Sequence, residues 1–447
     1  MKTILSVLLL SLISAPITAQ SLTELKKQLR EKEAAAGKDP GAMVEVASWA
    51  KEKGLVRDMQ RILQAVLKVD KDNEKANGLL GFVKHEGEWM PKAKAEAAIK
   101  KALAEEMKAK GMIQVEDVWV TKDEVADAKK GIFWHEGERV SKFEKNLVIQ
   151  GLVRHAITGE FIRPEDQQKA EQGLFPLGDR WGSEEEADKY HASRETPWVY
   201  RSQTANIVST RKLAQIKELA IDLDSAVGDA SRVFAGLMPT PANRPLVLIA
   251  EDEEHYKTLG AQVGAEGSAH GVFLSDQPFE VRNLGQVRPT IMNWRDDWGP
   301  YWVRHAAGLA WTAGVAADLS MEFPLWFSRG VAGYVERFSG PGVAQHFGRE
   351  HLKKGGVNGL AAWFNGFAIS PDLEPRMIDF NVFQAGLLFS FAMEGGDGDA
   401  TAALTAVTTA ARAADAKQLQ KAIEQFQATL TKGEEGLRNH LRKLVNI

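Results

Sequence analysis

The chain holds 447 residues with a mildly acidic balance, 60 Asp and Glu against 56 Lys and Arg. Hydrophobic residues at 44% and charged residues at 26% fit a globular chain, and the length exceeds one ordinary core, so two or three folded units are expected. Cysteine is absent, which excludes disulfides, thiolate metal ligands and a cysteine nucleophile, and the mild charge gives no basis for a nucleic-acid or anionic-membrane partner.

The first 19 residues read as a secretory signal. Lys2 is a positive n-region, Ile4 to Ile13 is a short apolar run, and Ala15, Pro16 and Ala19 form a small-residue exit. The run is too short for a comfortable membrane span. Cleavage near Ala19 would leave an exported chain, periplasmic or extracellular, with no membrane span of its own.

Residues 20–80 read as a helical hairpin. "SLTELKKQLREKEAAAG" has a Ser start and a Gly stop, and Met59, Ile62, Leu63, Val66 and Leu67 form a helical stripe beyond Gly54. "AVLKVDKDNEKANGLLG" resembles the second helix and turn of a tetratricopeptide-type repeat, and one such unit is a hairpin, not an array.

Residues 81–195 carry an internal repeat. "GFVKHEGEWMPKAKAEA", "GMIQVEDVWVTKDEVADAKKG", "GIFWHEGERVSKFEKN", "GLVRHAITGEFIRPEDQQKA" and the weaker "GDRWGSEEEADKYH" share a β-like run, a turn, an apolar anchor and a helical start. Trp89, Trp119 and Phe161 are the anchors, each expected to pack its own hairpin rather than to present a ligand-binding aromatic. His85, His135 and His155 recur at related places, but they lack metal-ligand spacing, and repetition explains them.

From residue 196 to 447 the texture is that of an α+β domain with a small mixed sheet and a mainly helical C-terminal part. "PWVYRSQTANIVS" reads as a strand and "TRKLAQIKELAIDLDSAVGDASRVFAGL" as a long helix. "RPLVLIAEDEEHYKTLG" reads as a strand followed by a helix, and "AHGVFLSD" and "RPTIMNW" as further strands. Trp302, Ala306, Leu309, Ala310 and Ala313 keep a helical period, and a second helix starts after Pro324. The Ala-rich segment from Asp399 to Phe426 reads as a pair of packing helices. "GDGDA" at Gly396 is not a calcium loop, because the terminal Glu is missing, and no P-loop, G-x-S-x-G or dinucleotide fingerprint occurs.

"PLWFSRGVAGY", Pro324 to Tyr334, carries a resemblance. Residues from about 197 to 430 resemble the gluzincin-type, peptidase MA-like zinc metallopeptidases. In those, H-E-x-x-H on one helix is followed by a helix of the form P-x-W-x-x-E-G-x-A-x-Y, whose Glu is the third zinc ligand. Pro324, Trp326, Gly330, Ala332 and Tyr334 match that frame, and "NVFQAGLLFSFAMEGG" is similar to the next helix. The resemblance implies the fold. Residue by residue, the family's first histidine falls on His305, the general base on Ala306, the second histidine on Leu309 and the third ligand on Arg329.

The substitutions disable the implied chemistry. One imidazole does not make a catalytic zinc site, alanine takes no proton from water, leucine offers only apolar surface, and a permanently charged guanidinium repels a cation. No catalytic residue, metal or cofactor is therefore expected. His305, Ala306, Leu309 and Arg329 are read as a vestigial cleft, with Glu322, Glu336, Trp326 and Tyr334 as its candidate partners. Arg329 is expected to pair with Glu322 or Glu336, or to hold an anionic group of a ligand.

Three functions stay open on sequence alone. The first is an exported non-catalytic protein that binds a protein, peptide or cell-wall partner. The second is a metal-dependent hydrolase with a rearranged site that draws on Glu322, Glu336 or His351; Asp296, Asp297 and His346 are further nearby ligand types. The third is a structural envelope protein with a closed cleft.

Overall fold

The computed structural model describes residues 22–446 except 235–240, 242, 264–269, 295–298, 371 and 396. The expected signal segment, Asp296 and Asp297 lie outside the described residues. The chain divides into two compact units, one ending at Gly111 and one beginning at Met112.

The first unit contains α1 (Leu22–Ala36), α2 (Pro40–Glu52), α3 (Val56–Val69), α4 (Glu74–Leu79), β1 (Phe82–His85), β2 (Glu88–Pro91) and α5 (Lys92–Ala109). Asp39 caps α2 by accepting from the Ala42 amide, with Pro40 pre-set in the first turn. Gly54, at φ +74°, lets the chain turn between α2 and α3. Val44, Ala47, Ile62, Leu63 and Val66 close a small core of their own.

The second unit opens with four two-stranded hairpins, each followed by a short helix. They are β3 (Ile113–Val115) with β4 (Val118–Val120) and α6 (Val125–Ala128); β5 (Phe133–His135) with β6 (Glu138–Val140) and α7 (Lys142–Ile149); β7 (Val153–Arg154) with β8 (Phe161–Ile162) and α8 (Gln167–Glu171); and β9 (Phe175–Leu177) with β10 (Arg180–Gly182) and α9 (Glu184–His191). Tight turns of primed geometry need positive φ, which Glu136 at 49° and Gly137 at 81° supply between β5 and β6. Ser141 and Ser183 start α7 and α9 through reciprocal capping boxes with Glu144 and Glu186. Trp119 and Phe161 are buried, whereas Trp89 is half-buried beneath the Lys84 ammonium. His155 is buried, stacks on Phe175 and bonds the Leu174 carbonyl at 2.9 Å, while His85 and His135 stay partly exposed.

Next come β11 (Trp198–Arg201), β12 (Asn206–Ser209), α10 (Leu213–Phe234), β13 (Leu246–Ile249), α11 (Glu253–Val263), β14 (Val272–Leu274), β15 (Phe279–Val281), β16 (Gly285–Val287) and β17 (Thr290–Met292). The segment expected as one strand at 197–209 is a hairpin instead. Asp224 accepts from the Ser202 and Thr204 hydroxyls and the Thr204 amide, so the chain reverses there. The five-stranded sheet has the order β11-β12-β13-β17-β14; the β12–β13 and β13–β17 pairs are parallel and the outer pairs antiparallel. The β15–β16 hairpin was not expected from the sequence; Asn283 and Gly285, both at positive φ, turn it.

The rest is helical: α12 (Gly299–Asp318), α13 (Leu325–Arg337), α14 (Pro341–Lys353), α15 (Leu360–Asn365), α16 (Pro375–Glu394), α17 (Gly398–Arg412), α18 (Ala416–Lys432) and α19 (Glu434–Leu444). With about 59% of residues helical and several small sheets, the class is α+β. Small residues set the helix crossings. A Cβ on Gly308 of α12 would lie 2.6 Å from the Ala332 Cα of α13, and one on Gly333 would lie 2.5 Å from the Val382 carbonyl of α16. Backbones therefore touch at both crossings, and the side chains beside them are forced together.

Candidate functional site

The close crossing of α12 and α13 brings His305 against Arg329 and Glu336. The latter two are seven residues apart, two turns along one face of α13. All three are at most 1% exposed. His305 Nδ1 lies 2.7 Å from Glu336 Oε2, and Arg329 Nη1 lies 2.9 Å from His305 Nε2. A guanidinium only donates, so Nε2 carries the lone pair and Nδ1–H donates to the carboxylate. Arg329 Nη1 also donates to the Val272 carbonyl at 2.9 Å, and Arg337 Nε donates to Glu336 Oε1 at 2.8 Å. Arg337 is held in turn by Asp379 at 3.0 Å and lies over the Phe347 ring.

The charge states follow from this packing. Burial, reinforced by the guanidiniums of Arg329 and Arg337, pushes the His305 pKa well below its usual value, so the imidazole is neutral. Burial also pushes Arg329 down to about 10, with Tyr256 and Glu336 acting in the opposite direction, so it stays charged at neutral pH. Glu336 and Asp379 balance Arg329 and Arg337 within the cluster.

A second histidine closes the group. His270 precedes β14 with its ring centre 4.2 Å from that of His305, the two rings tilted by 41°, and with Nε2 3.6 Å from Glu336 Oε2. Gly271 makes this approach feasible: it holds φ +88°, and a Cβ there would lie 2.4 Å from the Trp302 indole. Burial keeps His270 neutral, and neither of its ring nitrogens has a hydrogen-bond partner among the described residues. His270, His305 and Glu336 offer one ligand atom each, all within 4.8 Å of one another.

β14 is an edge of the sheet. Gly271 and Ser275 bond towards β17, so Val272 and Leu274 turn their backbone groups outward. Arg329 thus caps an outward carbonyl of that edge. Beside it lies a cavity of about 850 Å³, bounded by the start of α7, the sheet, and the faces of α12 and α13. Leu309, Ala313 and Phe273 give it an apolar lining, and Thr290 presents a hydroxyl that is buried and without a partner among the described residues. Arg244 and Arg288 lie at its margins, each already bonded to a backbone carbonyl.

The residues singled out in the sequence divide between this cavity and the core. Leu309, Arg329 and Glu322 line the cavity. His305 and Ala306 are fully buried behind it. Glu322 is largely exposed and faces Arg288 at 3.9 Å. Trp326 bonds Gln427 and Tyr334 bonds Glu394, both as core side chains. His351 is buried between Phe380 and Phe383, apart from His305, and His346 is exposed. His270, Arg337 and Asp379 were not anticipated. The only local signal for His270 was its place before a glycine and a strand.

Glu144, Asp276, Asp318 and Glu322 are the carboxylates among the cavity's lining residues, and His270, His305 and Glu336 are not among them. No protein-family model, no curated protein and no solved structure matches this chain.

Proposed function

We propose that the chain is an exported, non-catalytic relative of the gluzincin-type metallopeptidases, which binds a protein, peptide or cell-wall partner in the cavity beside α12 and α13. The observation that carries the reading is the guanidinium of Arg329 on His305 Nε2. It places a fixed cation against the one histidine of the family motif that this chain keeps. Ala306 and Leu309 are buried and apolar where a base and a second ligand would stand. Arg329 is spent on His305 and Val272, so a ligand is held by the apolar lining, the Thr290 hydroxyl and the outward β14 backbone rather than by that cation. The tetratricopeptide-like hairpin would add a second protein-contacting surface.

A hydrolase with a rearranged site has one observation in its favour, the convergence of Glu336 on His305. Neither residue lines the cavity, however, and a hydrolytic centre must meet its substrate. The test uses Ala313→Trp, which fills the cavity from α12. Capture of one envelope protein or peptidoglycan peptide by the natural chain, lost in Ala313→Trp, supports the reading. Peptide hydrolysis abolished by His305→Ala would refute it.

A further inference from the structure

Buried polar groups in folded proteins nearly always have partners, and each exception needs a cause. His270 is such an exception. It is 6% exposed, both ring nitrogens lack partners among the described residues, and a left-handed glycine is used to seat it. An imidazole left in this state carries a desolvation cost that a phenylalanine would not. The lone pair that neutral His270 must carry has an evident use, because two further donor atoms stand beside it.

We propose that His270, His305 and Glu336 supply three ligands to a zinc-class divalent ion in a buried site closed off from the cavity, structural and not hydrolytic. Two imidazoles and a carboxylate are a donor set that zinc takes. Around a tetrahedral ion with bonds of about 2.0–2.1 Å, neighbouring donors lie about 3.3 Å apart. Glu336 Oε2 to His270 Nε2, at 3.6 Å, already fits; Glu336 Oε2 to His305 Nδ1, at 2.7 Å, must open by about 0.6 Å as the shared proton leaves. Arg337 holds the other carboxylate oxygen, as an outer partner that orients a ligand does. No residue of the three lines the cavity, which separates the ion from any substrate.

Arg329 competes with the ion. When Nδ1 becomes the ligand atom, its proton moves to Nε2, and two donors then face each other across the Arg329–His305 contact. The guanidinium must give up Nε2 and keep the Val272 carbonyl. The structure described above is the state in which Arg329 holds the histidine; the metal-bound state frees one N–H of Arg329 beside the cavity.

The experiment uses the untagged full chain, stripped with chelator and titrated with zinc chloride alone, with bound metal counted by mass spectrometry after gel filtration. One zinc per chain is expected, lost in His270→Ala and kept in His351→Ala. His270 makes no hydrogen bond, so His270→Ala is expected to fold, which far-ultraviolet dichroism verifies. Arg329→Met is expected to bind zinc at least tenfold more tightly. Absence of stoichiometric zinc, or equal retention by His270→Ala, overturns the site. Zinc-dependent peptide hydrolysis overturns its closed character.

Discussion

Glu336→Gln isolates the charge at the centre of the buried cluster, because glutamine keeps the shape and removes only the charge and one acceptor. Glu336 accepts from Arg337 Nε through Oε1 and from His305 Nδ1 through Oε2, and it is fully buried. Every contact in the row Arg337, Glu336, His305, Arg329 runs from a donor to an acceptor. A glutamine has one oxygen and one NH2 group, so one of the two neighbours meets a donor instead. Moving the His305 proton to Nε2 only transfers the conflict to Arg329. The unmade bond costs about 1–3 kcal/mol. Loss of the carboxylate also removes the Glu336–Arg337 attraction; two unit charges about 4 Å apart attract by about 4 kcal/mol at an effective dielectric of 20. Removing one member of a buried pair costs about 3–5 kcal/mol, and the substitution is expected in that range. Urea unfolding followed by the fluorescence of the buried Trp302, Trp311 and Trp326 measures it. A loss below about 1 kcal/mol would refute the claim that Glu336 anchors the cluster.

Three further outcomes are expected. Burial pushes His351 down to about 3 in the folded chain, against about 6.5 unfolded. Above pH 6.5 both states are neutral; below it the unfolded chain takes a proton that the folded chain refuses, so stability is lost as pH falls from 6.5 towards 3. Urea midpoints at pH 7, 6 and 5 should decline, and His351→Phe should remove about 1.4 kcal/mol per pH unit of that slope once the unfolded imidazole is charged. Gly333→Ala should destabilise by about 2 kcal/mol or more, despite alanine's better helix propensity, because its Cβ would meet the Val382 carbonyl at 2.5 Å; an unchanged unfolding midpoint would count against the backbone crossing. N-terminal sequencing of the exported fraction should begin at Gln20, and an intact Met1 there would contradict the signal reading.

Local chemistry was legible in the sequence, and distant pairing was not. Pro324 opens α13, Gly37 follows α1, and the Glu136-Gly137 pair turns a hairpin, because each depends on a residue's own backbone preference. The break of residues 197–209 into β11 and β12 depends on Asp224, a turn of helix α10 that sequence patterning cannot bring to Ser202 and Thr204. His270 was hidden for the same reason. It reaches His305 only because Gly271 folds the chain over Trp302, a contact made thirty-one residues along the chain. Glu336 was legible as a candidate partner because it shares a helix face with Arg329, but its role as the acceptor for His305 emerges only from the crossing at Gly308.

His305, Arg329 and Glu336 are coupled through this crossing. Arg329 on Nε2 fixes the His305 proton on Nδ1, which requires an acceptor there, and Glu336 supplies it. With Glu336 and Asp379 set against Arg329 and Arg337, the cluster is balanced, so a further carboxylate at Ala306 would be a buried charge without a partner. A carboxylate introduced at Ala306 would therefore disturb a donor–acceptor chain that is already complete. The same logic sets the condition for an ion at His270. It must outcompete one guanidinium bond, and that bond is the contact joining the buried cluster to the edge of the cavity.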